Sequence, residues 1–423
     1  MSNIQSKYES KSYRNYVLGL MTMVYAVNFI DRQLLAILQD SIKADLNFSD
    51  TQLGLLTGFA FALFYVLAGL PIARWADRSN RRNIISLSIG VWSFMTAISG
   101  LAVSYFHLLL ARIGVGVGEA GCSPPAHSMI SDIFPAEQRA TAMSTYSVGI
   151  NIGIMLGFLL GGFLNEYYSW RVAFFVVGLP GILIALIFKF TVAEPIRGWS
   201  ENRIVDDTAI PFAEVLKVIF KQRVLVHLSF GAALSAFAGY SLTNWSASFF
   251  IRSFNVPTGE LGIWLAGGIG LLGSIGTFGA GYLCDRFGRN DKRFYFWLPA
   301  LAMLMAIPFI VLCFSSTNAQ TALILSLFTP LFTSGYLGAA LAVFHGSVEP
   351  RMRATASAVF FLILNVIGLG LGPTIIGAVS DSINPTYGNE SVRYAILAIV
   401  PVACAWAALH FYLASRAWKK ENG

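Results

Sequence analysis

Two ionisable residues of opposite charge lie deep in one apolar run of this 423-residue chain, Arg112 and Glu119. Because they are seven positions apart, on a helix they would share one face, about two turns from each other. A second charged pair, Asp31-Arg32, interrupts an earlier apolar run. A carboxylate in dry surroundings, or one that exchanges partners, can take up a proton, and an arginine can bind an anion. The chemistry predicted is therefore proton transfer and anion binding.

The apolar runs that hold these charges are long enough to cross a membrane. A charge near the centre of a bilayer costs roughly 2.5–3.5 kcal/mol on insertion scales, so charges retained there mark a pathway or a site. At 1.5 Å per helical residue, Asp31 lies roughly 24 Å from one membrane face and Arg112 roughly 8 Å from the other. In a core about 30 Å thick these depths nearly coincide, so Asp31 and Arg112 can pair. Glu119 then lies nearer the midplane without an obvious partner.

We therefore expect Asp31 and Glu119 to change protonation, with Arg32 and Arg112 receiving either a carboxylate or an anionic ligand. The alternative is a static network of four charges that only holds two helices together.

Composition identifies a membrane protein with many spans. The chain is 56% hydrophobic and 12% charged, with 39 glycines, whereas soluble proteins carry about 25% charged residues. Four scattered cysteines have no metal-ligand spacing, so we predict free thiols and no metal. There is no nucleophile–base constellation and no phosphate loop outside lipid, so we expect a non-enzyme without cofactors. The net charge of +7 fits membrane topology rather than nucleic-acid binding, and we expect a monomer.

Apolar runs of spanning length recur twelve times. The predicted spans are 14–38, 51–73, 83–104, 107–130, 139–164, 171–192, 223–250, 257–283, 293–314, 319–346, 354–379 and 392–415. The predicted fold is an all-α membrane protein with twelve transmembrane helices in two pseudo-symmetric six-helix bundles. We expect an N-terminal bundle at 1–192, a linker at 193–222 and a C-terminal bundle at 223–423.

The two halves repeat each other. A loop with Asp77-Arg78 and Arg81 follows the second span, and one with Asp285-Arg286 and Arg289 follows the eighth. The segment Arg139-Ala140-Thr141-Ala142 opens the fifth span, and Arg353-Ala354-Thr355-Ala356 opens the eleventh. Asp285 follows Asp77 by 208 residues and Arg353 follows Arg139 by 214. Two motifs with nearly one offset indicate duplication, which is typical of two-bundle transporters.

The distribution of basic residues predicts the orientation of the chain in the membrane. About 23 of the 29 lysines and arginines fall on the side that bears the termini and the Asp-Arg loops. By the positive-inside rule both termini are cytoplasmic. The compact chain with short tails favours a bacterial inner membrane.

The linker contains a short amphipathic pattern. Pro211 is well placed to open a helix, and the apolar residues that follow repeat at helical spacing: Phe212, Val215, Leu216, Ile219 and Phe220. This pattern predicts a helix on the inner membrane surface, with a solvated linker helix as the alternative.

The Asp-Arg loops resemble motif A of the major facilitator superfamily, Gly-x-x-x-Asp-Arg-x-Gly-Arg-Arg. The second copy is close to it, whereas the first has Ala73 and Asn80 at the two glycine positions. An Asp can cap a helix and arginines can reach carboxylates, so such clusters can break and reform. We predict a cytoplasmic gate formed by Asp77, Arg78, Arg81, Arg139, Asp285, Arg286, Arg289 and Arg353.

The fourth and fifth spans resemble further motifs of that superfamily. Leu108-x-x-x-Arg112-x-x-x-Gly116-x-Gly118 matches motif B, whose arginine is associated with proton coupling. The fifth span carries Gly149, Gly153, Gly157 and Gly161 at spacing four, which predicts a close helix contact. It is similar to the antiporter motif C, but Phe158 replaces its proline.

The charged residues carry a closer resemblance. Asp31-Arg32, Arg112 with the following Gly118-Glu119-Ala120, and Arg139 look like the spinster family. That resemblance implies transport of sphingosine phosphate, lysophospholipids or related amphiphiles, with proton coupling. It also implies that Asp31 and Glu119 are candidates for protonation and that Arg32 and Arg112 are candidates for head-group contact or charge balance.

The C-terminal half offers aromatic and amide side chains instead of buried acids. We predict substrate contacts from Tyr240, Asn244, Trp245, Tyr336, Phe360 and Asn365. A path charged on one side and aromatic on the other suits an amphiphile, although many such rings only pack. The expected partners are an amphiphilic or lipid substrate, protons and membrane lipids. The rival functions are transport of small organic anions such as sugar acids and a non-transporting receptor.

Overall fold

The computed structural model describes residues 7–197, 212–349 and 352–422, and within these ranges all regular structure is helical. Side chains are not described at 70, 77, 136, 140, 212, 353, 354 and 422. The predicted gate side chains of Asp77 and Arg353 therefore lie outside the description, as does Pro211.

The first six spans follow the predicted apolar runs. Their helices are Lys11–Leu46 for the first span, Asp50–Thr57 with Phe59–Arg78 for the second, Arg81–Ser99 for the third, Tyr105–Ala120 with Ser123–Ile133 for the fourth, Ala136–Tyr167 for the fifth and Trp170–Thr191 for the sixth. Polar side chains begin several of them. Asn80 accepts from the backbone N–H of Asn83 at 2.9 Å, and Ser169 accepts from that of Val172 at 3.2 Å, which satisfies N–H groups that a helix start leaves unpaired.

The last six spans include two wide π-helical turns. Their helices are Arg223–Phe254 for the seventh span, Thr258–Leu265 and Gly273–Gly288 around the π turn Ala266–Leu272 for the eighth, Phe294–Ser315 for the ninth, Ala319–Thr333 with Tyr336–Gly346 for the tenth, Arg353–Leu364 and Gly372–Tyr387 around the π turn Asn365–Leu371 for the eleventh, and Ser391–Asn422 for the twelfth. The helices thus give the twelve spans of an all-α membrane protein with two six-helix halves.

Nine stretches of the described residues are long and apolar enough to cross a membrane by length and composition alone. The stretch 355–421 covers both the eleventh and the twelfth span. The third and fourth spans are not among the nine. The helix Tyr105–Ala120 has only 16 residues and Arg81–Ser99 has 19.

The helices form two compact units. The first contains residues 1–47 and 60–207, and the second contains 48–59 and 208–423. The start of the second span therefore belongs with the C-terminal half. The division into 1–192, 193–222 and 223–423 stays a prediction.

The glycine row of the fifth span lies against the first span, as its spacing predicts. A Cβ atom at Gly149 would lie 2.5 Å from the carbonyl oxygen of Thr22, and one at Gly157 would lie 2.8 Å from the Cβ of Gln33. Larger residues would therefore push these two helices apart. The seam fixes the rotation of the first span, which carries Asp31 and Arg32.

The linker pattern forms the helix Phe212–Lys221. Val215 and Ile219 are buried in the core of the second unit together with Phe344 and Phe360. These two apolar residues therefore contact protein and are not available to a membrane surface, whereas Phe220 is exposed.

Candidate functional site

The four charges predicted from the sequence come together inside the first unit. Asp31 and Glu119 each expose 1% of their surface, and Arg112 exposes 3%. The side chain of Arg32 is more open, at 16%. The first span supplies Asp31 and Arg32, and the fourth supplies the other two.

Arg32 is the ion-pair partner of Glu119. Its Nε atom lies 2.7 Å from Oε2 of Glu119. The expectation that Glu119 stands without a partner is therefore wrong. The other carboxyl oxygen of Glu119, Oε1, accepts no hydrogen bond from the described residues. One oxygen thus holds the arginine while the second is open to a further donor.

Asp31 lies in the same cluster but is held differently. Neither of its carboxyl oxygens accepts a hydrogen bond within the described part of the chain. Its charged neighbours are Glu119 and Arg112, and the hydroxyl group of Thr96 also lies near the carboxylate. Arg112 in turn interacts with both acids. The expected pairing of Asp31 with Arg112 therefore takes the form of proximity rather than a hydrogen-bonded ion pair.

Aromatic rings surround Arg32 and Arg112. These contacts were not predicted from the sequence. The guanidinium carbon of Arg32 lies 4.9 Å from the ring centroid of Phe29, 5.0 Å from that of Phe61 and 5.2 Å from that of Tyr65. Arg112 lies 5.2 Å from the same Phe61 ring. A cation over a ring gains about 0.5–2 kcal/mol, more where water is excluded. Phe61 and Tyr65 are one helical turn apart, and this spacing was the sequence pattern that could have indicated an aromatic face on the second span.

Glycines bring the fourth span close enough for these contacts. A Cβ atom at Gly116 would lie 3.0 Å from the carbonyl oxygen of Phe61, and one at Gly118 would lie 2.8 Å from the backbone nitrogen of Trp92. The Gly-x-Gly sequence therefore serves the packing of the fourth span against the second and third. It positions Glu119, the next residue.

This arrangement can do two kinds of chemistry. An acid that loses its charge on protonation releases its hold on an arginine, and the arginine can then accept another anion. A second acid nearby gives a proton an alternative place. Two arginines beside aromatic faces suit an anion with an apolar portion.

Arg81 of the predicted gate is the centre of a buried network in the first unit. Its Nε donates to Glu194 at 2.7 Å, Nη1 donates to Ser128 at 2.7 Å and also to Asp132, and Nη2 donates to the carbonyl oxygen of Pro195 at 2.9 Å. Arg81 is 1% exposed. Asp132 and Glu194 were not predicted from the sequence to be partners of Arg81, although each is an acid near the basic end of a span.

The other gate residues make more local contacts. Arg139 donates to the carbonyl oxygen of Ser131 at 3.0 Å, and Arg78 is exposed.

In the second loop, Asp285 accepts from Tyr295 at 2.9 Å, Arg286 donates to Tyr282 at 3.2 Å, and Arg289 is exposed. Nearby, the side chain of Arg293 donates to Asp291 and lowers the pKa of that carboxyl group. A role in gating stays a prediction for all of these residues.

The predicted contacts of the C-terminal half divide into packed and partly open side chains. Trp245 is fully buried and donates to the carbonyl oxygen of Pro373 at 2.9 Å, and Phe360 packs on Phe344 with 5.0 Å between ring centroids. Both fill the interior of the second unit.

The remaining predicted contacts are three partly buried side chains and one buried amide. Tyr240, Tyr336 and Asn365 are partly buried, whereas Asn244 is 6% exposed and donates to the carbonyl oxygen of Tyr240 at 2.8 Å. That these residues contact the substrate stays a prediction. The partly buried side chains of Tyr240, Tyr336 and Asn365 are the ones most able to contact a substrate.

Another buried ion pair lies in the second unit, and it was not predicted from the sequence. Arg252 donates from Nη1 and Nη2 to the two carboxyl oxygens of Asp50, at 2.7 and 2.9 Å. Ser380 donates to Asp50 at 2.6 Å. The neighbouring Asp381 accepts from the backbone N–H groups of Asp50 and Thr51 at 3.0 and 2.7 Å. The first turn of the second span is thus held at both its side chain and its backbone.

Residues 21–317 match the Major Facilitator Superfamily. The chain belongs to this superfamily. It is therefore an integral membrane transporter protein with the superfamily's twelve-span fold.

Individual relatives support a spinster-like member of the superfamily. A solved bacterial homologue of the human lysosomal transporter Spinster, in an inward-facing and unoccupied conformation, is similar with a TM-score of 0.90 and 36% identity, covering 97% of this chain and 99% of that one. An MFS-type efflux pump of Mycolicibacterium smegmatis is 30% identical, covering 95% of this chain and 93% of the pump. A hexuronate transporter of Bacillus subtilis is 24% identical, covering 86% and 87%. The spinster resemblance seen in the motifs is thereby confirmed.

Proposed function

We propose that this superfamily member is a proton-coupled secondary transporter of an amphiphilic, lipid-like anion that works by alternating access. The observation that carries the proposal is the buried pair between Arg32 and Glu119, with Asp31 and Arg112 beside it. Asp31 and Glu119 are both buried acids beside cations, which is the setting in which a carboxylate can exchange a proton.

Proton binding and anion binding favour each other in this scheme. When Glu119 takes a proton it becomes neutral, and its ion pair with Arg32 is lost. The guanidinium group is then available to the anionic head of the substrate. When the proton leaves, the Glu119 carboxylate competes with the head group for Arg32 and promotes its release. Asp31 offers the proton a second acceptor beside Arg112.

The amphiphilic character rests on the rings around the cations. Phe29, Phe61 and Tyr65 place aromatic faces at Arg32, so an anion bound there enters an apolar setting. The resemblance to the spinster family, whose members carry such amphiphiles, supports this choice. The same proposal includes the cytoplasmic gate and places both termini on the cytoplasmic side. It also includes a bacterial inner membrane as the location and a monomeric state.

The experiment is transport in proteoliposomes with a pH-sensitive dye inside. A gradient of lysophosphatidic acid should move protons with the wild type and with the control Glu137→Gln, which replaces an exposed acid of the fifth span. Glu119→Gln and Asp31→Asn should each reduce substrate-driven proton movement at least tenfold. Normal substrate-driven proton movement in both variants would show that Glu119 and Asp31 are not the proton-coupling residues.

The second candidate is a transporter of small organic anions. The similarity to a hexuronate transporter favours it, because an arginine cluster also suits a sugar acid. Competition separates the two. Lysophosphatidic acid should displace bound substrate if the lipid proposal holds, whereas glucuronate should do so if the rival holds. Binding of either compound without any flux would instead support a receptor.

A further inference from the structure

A basic cavity lies where the seventh span begins and the twelfth span ends, both in the second unit. It has a volume of about 450 Å³. Its lining is mostly charged or polar: Arg223, His227, Leu413, Arg416, Ala417, Lys420 and Glu421. None of these residues belongs to the four-charge cluster or to the Asp-Arg loops.

The cavity carries an excess of positive charge. Three cations line it, Arg223, Arg416 and Lys420, against one carboxylate, Glu421. Among the described residues, none of the three cations forms an ion pair with an acid. Cations gathered without a counterion repel each other. An anion with several acceptor oxygens would relieve that repulsion, and a phosphate group can accept from two arginines at once.

A pair of imidazole rings extends the wall of the cavity toward the apolar surface. The Nδ1 atoms of His227 and His410 lie 3.1 Å apart. One ring must therefore donate and the other accept, so at least one is neutral at that nitrogen. His410 also lies against the rings of Phe230 and Trp406, at centroid distances of 5.5 and 6.1 Å. The polar cavity thus continues directly into aromatic surface.

That aromatic surface is exposed along the same two helices. Phe230 is 38% exposed, and Trp406 and Leu409 are 55% and 50% exposed. Phe230 lies seven residues beyond Arg223, or about 10 Å along the helix. In a membrane protein, exposed apolar side chains within a spanning helix face lipid tails, and basic residues at its end meet head groups. A free phosphate ion would use the cavity but not this strip.

We propose that the cavity binds the phosphate head group of an anionic phospholipid from the leaflet on the side of the termini. Arg223, Arg416 and Lys420 hold the phosphate oxygens. The acyl chains run along Phe230 and Trp406. This site binds lipid as a resident partner and is separate from the site proposed for the transported anion.

Native mass spectrometry of the protein in detergent tests this site with short-chain lipids. Dioctanoyl phosphatidylglycerol should bind the wild type at least tenfold more tightly than dioctanoyl phosphatidylcholine. The double variant Arg416→Gln/Lys420→Gln should lose at least tenfold in affinity for the anionic lipid. Lys419→Gln is the matched control, because this neighbouring exposed lysine does not line the cavity.

The outcomes divide cleanly. Retained affinity in the double variant, or equal binding of the two lipids, would overturn the proposal. Inorganic phosphate that displaces the lipid at equal concentration would show a free-anion site and would also overturn it. A failure here leaves the proton-coupling result unaffected, because that result is read from Glu119 and Asp31.

Discussion

Nε of Arg32 donates a 2.7 Å hydrogen bond to Oε2 of Glu119, while the same guanidinium group lies over the rings of Phe29, Phe61 and Tyr65. Taking two charges out of water costs several kcal/mol per ion, and only good geometry with further contacts offsets it. The three rings supply such contacts around the guanidinium group in addition to its hydrogen bond.

Removing one partner of this pair should cost more than removing both. We expect Arg32→Gln to lower the free energy of unfolding by about 3–5 kcal/mol, because Glu119 is then a buried acid without its ion-pair partner. The double variant Arg32→Gln/Glu119→Gln should recover at least half of that loss. Denaturant unfolding in detergent micelles measures both values.

The control is Arg171→Gln, which breaks an exposed ion pair with Asp45. Exposed pairs contribute about 0–1 kcal/mol. If the losses from the two single variants at the Arg32–Glu119 pair simply add in the double variant, the two side chains are not energetically coupled.

A methyl group at Gly118 should disturb the site by way of packing. Its Cβ would lie 2.8 Å from the backbone nitrogen of Trp92, which cannot move aside as a side chain can. We expect Gly118→Ala to cost about 1–3 kcal/mol of unfolding free energy. Gly19→Ala is the control in the same unit, since nothing lies within 4 Å of its Cβ position. Equal stability of the two variants would mean that the fourth span is not held against the third at this point.

Arg81 should be far more important for stability than its neighbour Arg82. Arg81→Gln leaves Asp132 and Glu194 without their shared cation, so we expect a loss of about 3–5 kcal/mol in unfolding free energy. Lysine should not restore it, because the contacts use Nε, Nη1 and Nη2 in a fork that an ammonium group lacks.

Arg82→Gln is the matched control for Arg81. Among the described residues, the Arg82 side chain forms hydrogen bonds only with the adjacent Asn83, whereas the contact of Arg82 with Glu194 uses its backbone N–H. A change within about 0.5 kcal/mol is expected for an unimportant surface contact. A comparable loss in both variants would argue against a special role for Arg81.

The pair between Asp50 and Arg252 should control how firmly the start of the second span is held. In Arg252→Gln the bidentate contact to Asp50 is lost. Amide hydrogen exchange within Asp50–Thr57 should then accelerate at least tenfold, because local opening becomes easier. Arg393→Gln serves for comparison, since its ion pair with Glu390 lies within one helical turn of the chain. Unchanged exchange in Arg252→Gln would show that the contacts from Ser380 and Asp381 are enough to hold this turn.

Apolar run length was sufficient to predict the spans but not where the helices end. The first span was expected at 14–38 and the helix covers Lys11–Leu46. The helix continues past the apolar run because Lys43, Ala44 and Leu46 favour a helix. Charged residues such as Asp40 and Asp45 end the hydropathy signal earlier. Hydropathy reports on lipid contact and not on the hydrogen bonds that end a helix.

The cluster of four charges could be predicted, whereas its pairing could not. Depth along the membrane normal brought Asp31 and Arg112 to similar levels and left Glu119 nearer the midplane. Asp31 and Arg32 point about 100° apart on their helix, so which of them meets Glu119 depends on the rotation of the first span. That rotation is set by contacts with the fifth span, such as Gly149 on Thr22. The glycine row predicts a close helix contact, but the sequence pattern does not show which helix, or which face of it, makes that contact.

Interruptions fall in matching spans of the two halves. The second span breaks at Gly58 and the fourth at Gly121-Cys122, while the eighth widens over Ala266–Leu272 and the tenth breaks at Ser334-Gly335. An unbroken helix acts as a stiff lever that carries a displacement from one membrane face to the other. A jointed helix has low bending stiffness and absorbs the displacement at the joint. The eleventh span adds a further joint at Asn365–Leu371. The mechanical compliance of the described helices is therefore concentrated at a few short joints.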